Sequence, residues 1–184
     1  MPYNIDPNIN TNNISIGPGT VAIGPSGSTP TVFIGAIGDD GVTIELESEK
    51  VDIMQGNPQT IEHSLNQKQG VKLTLNSIEW NHKLVQYALG AGLTMESASL
   101  HTFAFGGDPR VTTVAIQMTH TMPSGQTQMW RLWKARGDGA VSVSFSGEPH
   151  QIPQAYQAMR SGTNWGGAIL PKEEQLLQIV RQLT

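Results

Sequence analysis

The 184-residue sequence contains no cysteine, which excludes disulfides, thiolate nucleophiles and thiolate metal sites together. Stability must therefore come from packing and assembly. Charge is also sparse: 14% of residues are Asp, Glu, Lys or Arg, and the formal net charge is −4. That balance argues against a protein that grips nucleic-acid phosphates through a basic surface. It leaves open a surface past which nucleic acid slides. No apolar run approaches the roughly 20 residues of a membrane span, and the first residues lack the basic-then-apolar layout of a signal peptide. The expectation is an intracellular protein without a membrane contact.

Against these absences stand 20 Gly, 11 Pro and 38% hydrophobic residues, with surface polarity drawn mainly from Asn, Gln, Ser and Thr. This is the composition of a β-rich domain with many turns. Residues 1–30 carry one charge, Asp6, among Pro2, Pro7, Pro18, Pro25 and Pro30, and no helical period survives there. They read as an extended arm, lying either against their own domain or against a neighbouring subunit. Residues 31–160 read as one β domain, and 161–184 as a C-terminal extension.

Within the β domain, strands are expected at Thr31–Ile37, Val42–Met54, Thr60–Leu65, Val71–Ile78, Ala98–Phe105, Thr112–Met122, Gln126–Arg136 and Ala140–Ser146. Gly38-Asp39-Asp40-Gly41 has the composition of a hairpin turn. Asn76 and Glu79 are spaced as a capping box, with Trp80, Leu84, Tyr87 and Ala88 at helical spacing before Gly90. Pro171 opens a short amphipathic helix carrying Leu176, Leu177, Val180 and Leu183. The expected fold is mainly β: a sandwich or barrel of about eight antiparallel strands, one flanking α-helix and a short C-terminal helix.

Chemistry is scarce. Gly17-Pro18-Gly19-Thr20-Val21-Ala22 matches the dinucleotide fingerprint by letter, but no strand-to-helix crossover surrounds it. The five histidines lie on different elements without metal-ligand spacing. No enzymatic activity, cofactor or metal is expected. The acids are distributed less evenly. Asp39, Asp40, Glu45, Glu47, Glu49, Asp52 and Glu62 are seven of the chain's 15 acids, and Lys50 is the one Lys or Arg among them. In Val42–Met54 the apolar Val42, Ile44 and Leu46 alternate with Thr43, Glu45 and Glu47, and the phase slips at Glu49-Lys50. Such a segment would span roughly 40 Å, long for an ordinary strand. A solvated strand face that blunts edge pairing accounts for the acids; so does an acidic wall.

The segments Val32-Phe33-Ile34-Gly35 with Gly41-Val42-Thr43-Ile44-Glu45, Tyr87-Ala88-Leu89-Gly90, and Gly137-Asp138-Gly139-Ala140-Val141-Ser142-Val143-Ser144-Phe145 leading into Glu148-Pro149-His150-Gln151-Ile152-Pro153 resemble bacteriophage major tail tube proteins. The resemblance covers roughly residues 31–160 as an order of motifs. It implies hexameric rings stacked into a hollow, acidic-walled tube through which viral DNA and the tape-measure protein pass without specific binding. Sheath, baseplate and tail-terminator proteins would be further neighbours, in a virion tail assembled in the bacterial cytoplasm. The same fold occurs in the haemolysin-coregulated protein of type VI secretion and in contractile injection systems, so a tube subunit of such a system is the alternative; a small-ligand-binding β-barrel is a third. On this pattern Thr43, Glu45 and Glu47 face the lumen, and Lys50, Asp52, Gln55, Gly56, Asn57, Pro58 and Gln59 form a ring-stacking loop. A bulge or bend is expected at Glu49-Lys50, where wall passes into loop.

Overall fold

A computed structural model of the chain describes residues 19–107, 110–142 and 151–182. The fold is mainly β. Strands β1 (Gly19–Pro25), β2 (Val32–Phe33), β3 (Ile37–Gln55), β4 (Thr60–Ser77), β7 (Thr113–Thr121), β8 (Thr127–Gly137) and β9 (Ile152–Ala158) form an antiparallel sheet in the order β2-β1-β7-β8-β9-β4-β3. Strand β10 (Gln178–Gln182) joins it by pairing with β8. A separate hairpin, β5 (Leu93–Glu96) with β6 (His101–Ala104), lies beside helix α1 (His82–Leu89). Among the described residues the sheet is open, with β3 at one edge and β2 at the other.

The core follows from alternation. Val71, Leu73 and Leu75 of β4, Ile152, Tyr156 and Ala158 of β9, Val114 and Ile116 of β7, and Val21 and Ile23 of β1 are buried on one sheet face. Leu84 and Ala88 of α1 close over them, and Leu176 and Leu177 pack against the same cluster. Gly137 allows the helix to come this close: a Cβ there would lie 2.1 Å from the Ala88 carbonyl oxygen. One polar chain crosses the buried side: the Tyr156 hydroxyl donates to Gln154 Oε1 at 2.6 Å, and Gln154 Nε2 donates to Ser77 Oγ at 2.8 Å.

Several boundaries differ from expectation. Residues 19–25, read as part of an arm, form β1 along β7, with Val21 and Ile23 almost fully buried. Five prolines masked that short strand in the pattern. Gly38–Gly41 does not turn the chain back: β3 runs through it with a register jump between Ile37 and Val42, while β2 pairs with β1. The two strands expected between Thr60 and Ile78 are the single strand β4. The helix cap falls five residues after Asn76, at Asn81, whose side chain accepts from the Lys83 N–H at 2.9 Å; Gly90 ends the helix at φ 65°. The C-terminal helix shrinks to one 3-10 turn, Lys172–Glu174, and the following residues extend as β10. The leucines read at helical spacing serve two different elements, Leu176 and Leu177 the core and Val180 a strand. Strands β5 and β9 were not foreseen, and the strand expected at Ala140–Ser146 falls mostly outside the described residues.

Candidate functional site

The feature that stands apart is the β3–β4 hairpin. Its inner half is sheet: Lys72–Ser77 of β4 pairs with β9 on one side and with β3 on the other. Beyond Gly70 no other strand flanks the pair among the described residues, and every residue from Ser48 to Gln69 is exposed. Ser48–Gln55 and its partner strand therefore project as a two-stranded ribbon of roughly 26 Å. The turn at Gly56–Gln59 closes it, with Gly56 at φ 98° and Thr60 Oγ1 donating to the Gln55 carbonyl at 3.2 Å.

Register shifts occur at Glu49/Lys50 and at Ile53/Met54. In both, the extra residue belongs to β4, Gln67 in the first and Glu62 in the second. Strand β3 consequently keeps its alternation, and Thr43, Glu45, Glu47, Glu49, Val51 and Ile53 share one side. The bulge thus lies where the sequence slipped phase, but Glu49 continues the side of Glu45 and Glu47. What changes along that side is chemistry. Near the sheet it carries glutamates; on the ribbon it carries Val51 and Ile53, paired with Leu65 and His63. The opposite side inverts in step. Val42 and Ile44 pack against the subunit's own core and Leu46, on the same side, is exposed; then Ser48, Lys50 and Asp52 follow, with Ser48 Oγ donating to Asn66 at 3.4 Å and Ser64 donating to Asp52. The ribbon's apolar stripe, with Val51 45%, Ile53 47% and Leu65 58% exposed, therefore points away from its own core.

The second feature is the sheet face opposite the core. One cross-strand row reads Glu45, Lys72, Gln157, Arg136, Thr113. The neighbouring row carries Glu47, whose carboxylate lies beside Gly70, and Lys134, whose carbonyl accepts from the Met159 N–H at 2.8 Å. Lys72 forms its ion pair with Asp138, at 3.6 Å. Thr43, Glu45 and Glu47 are exposed together on this face, as their spacing required. The face is nevertheless not uniformly acidic. Glu45, Glu47, Glu49 and Asp138 are matched by Lys68, Lys72, Lys134 and Arg136. The acids concentrate on the edge strand, and Arg136 lies three strands away, about 14 Å, beyond the roughly 8 Å screening length at physiological salt. Lys68 and Lys72, by contrast, lie on the neighbouring strand directly across from Glu49 and Glu45, so only the outer bases Lys134 and Arg136 are screened from the acidic edge.

Elsewhere chemistry remains thin. His82 and His101 stack at 6.4 Å, and His101 lies 3.8 Å from Glu96. The Lys83 hydrogen bond holds the Glu96 carboxyl below its usual range and raises Lys83. Both groups are exposed, so the pair contributes little. Among the described residues no group of three or more His, Asp or Glu could hold a metal ion, and no helix is long and apolar enough to cross a membrane. Clefts are shallow; one of about 430 Å³ is lined by Gln69, Arg160, Lys172, Gln175 and Leu176.

No protein-family model matches the chain, and no curated protein is significantly similar to it.

Lys50, Asp52 and Gln55–Gln59 lie together on the outer ribbon and its turn, and all are exposed. The apolar stripe was missed as a unit, although its signal was in the sequence: the phase change that puts Val51 and Ile53 in the positions previously held by glutamates. Lys134 and Arg136 gave no such signal, because strand order alone brings them to the face of Glu45.

Proposed function

We propose that the chain is a structural subunit of a phage tail tube, in which hexameric rings of this protein stack into a hollow conduit for viral DNA and the tape-measure protein. The projecting ribbon carries the proposal. A two-stranded hairpin without a third strand or a packed face is marginal in water, and this one presents an apolar stripe on the side its own core cannot reach. A ribbon of that kind gains stability when other copies cover it, which is the role of a ring-stacking element spanning Lys50 to Gln59. The edge of β3, which pairs with no further strand among the described residues, adds to the argument: an open edge invites strand addition in a monomer and is covered once rings close.

In the assembled tube the face bearing Thr43, Glu45 and Glu47 lines the lumen. Its acids form a band along β3 within a surface that is balanced overall, so phosphates meet a hydrated, mixed-charge wall with no continuous basic track on which counterion release could hold them. A tube subunit of a bacterial injection system would have the same geometry; a sheath or tape-measure gene beside this one separates the two. A ligand-binding barrel is less well supported, because the described sheet is open and its clefts are shallow. Sedimentation velocity across a hundredfold concentration range tests the proposal. Sixfold or larger species should appear on concentration, and a single monomer boundary throughout would refute it.

A further inference from the structure

The segment between β9 and β10 carries a second feature. Trp165 sits on a tight turn in which Asn164 Oδ1 accepts from the Gly166 and Ala168 N–H groups, each at 2.9 Å. Its ring meets Trp133 of β8 edge to face at 4.7 Å, and the Arg131 guanidinium lies 5.9 Å from its centre. Trp133 is 4% exposed. Its indole N–H, that of Trp165 and Arg131 Nε are all buried without a hydrogen-bond partner among the described residues. Arg131 otherwise donates to Gln178 Oε1 at 3.4 Å and to Met129 sulfur at 3.6 Å, both neutral.

These three groups are donors with no accepting capacity. Buried donors are rarely left unmatched in folded proteins, and leaving them so is costly. A guanidinium adds a positive charge that makes no direct ion pair among the described residues; the nearest carboxylate in its network, Glu174, is reached only through Gln178. One water molecule accepts two hydrogen bonds and brings no charge; an oxyanion accepts several and brings a negative one. We infer that Trp133, Trp165 and Arg131 form a binding site for a carboxylate or similar small oxyanion. The group comes either from solution or from a side chain of another copy.

Tryptophan emission of the dilute full chain, with sodium acetate replacing chloride at constant ionic strength, reads the first source. The expected result is a saturable change that weakens at least about tenfold in Arg131→Gln, the loss of one charge-assisted bond. Trp165→Phe keeps the ring contact and removes one donor, and should weaken it severalfold; it also carries the test if Arg131→Gln misfolds. Raising protein concentration without acetate reads the second source: a spectral change that appears on self-association and is lost in Arg131→Gln assigns the carboxylate to a neighbouring copy. An unsaturable acetate response that persists in the variants, together with a spectrum independent of protein concentration, overturns the inference.

Discussion

Replacing Ile53 and Leu65 by serine should separate folding from assembly. The two side chains lie on the ribbon's outward stripe and are already 47% and 58% exposed in the single chain. Full burial of such a side chain is worth about 1.5–3 kcal/mol, so covering the exposed half contributes on the order of 1 kcal/mol each. Losing both weakens a subunit contact by about 2 kcal/mol, or roughly thirtyfold in its association constant. The isolated chain should hardly notice, since surface substitutions away from buried features cost within about 0.5 kcal/mol each, which at this size moves Tm by no more than about 4 °C. Circular-dichroism melting of dilute protein and light scattering across a concentration series measure the two quantities. The reasoning fails if the double variant melts much earlier while assembling at the wild-type concentration, for the stripe would then belong to the subunit's own core.

Other outcomes follow from single contacts. Gly137→Ala places a methyl group against the Ala88 and Tyr87 carbonyl oxygens and should cost about 3 kcal/mol, whereas Gly162→Ala meets no atom within 4 Å and should leave the melting curve unchanged. Burial raises the Tyr156 phenol well above its ordinary value. The unfolded chain therefore releases this proton first, so the stability it confers is present below about pH 10 and declines above it by up to about 1.4 kcal/mol per pH unit. Denaturant unfolding between pH 9 and 11 should show that decline, and Tyr156→Phe should flatten it while lowering stability at neutral pH by about 1–3 kcal/mol, because Gln154 Oε1 loses its donor. Glu45→Lys with Glu47→Lys should melt within about 4 °C of the parent; unfolding of this variant would place those side chains against protein instead of solvent.

The sequence was most legible where one physical signal acted alone. Strands β7 and β8 fell within a residue of their expected limits because apolar alternation and flanking glycine turns agreed. The long acidic strand was visible for the same reason, as was the irregularity at Glu49-Lys50. Competing signals hid the rest. Gly38–Gly41 has hairpin-turn composition, yet it forms an irregularity within β3, outside the paired register between Ile37 and Val42 and with Gly41 at φ 67°. Asn76 was spaced as a cap but lies within β4, where pairing with Pro153 of β9 holds it extended. The C-terminal leucines had helical spacing, but Leu176 and Leu177 were drawn into the core and β8 offered a free edge to Gln178–Gln182. Within the candidate site, the position of Glu45 and Glu47 could be read from period two alone. Their basic neighbours Lys134 and Arg136 could not, because only the strand order brings distant segments into one row.

Negative-stain electron microscopy of the concentrated full chain addresses the central claim most directly. Rings of uniform diameter with sixfold symmetry, stacking into hollow tubes and disrupted in the Ile53→Ser/Leu65→Ser variant, are the expected result. Particles that remain single subunits at every concentration, with no ring or tube in the field, would contradict it.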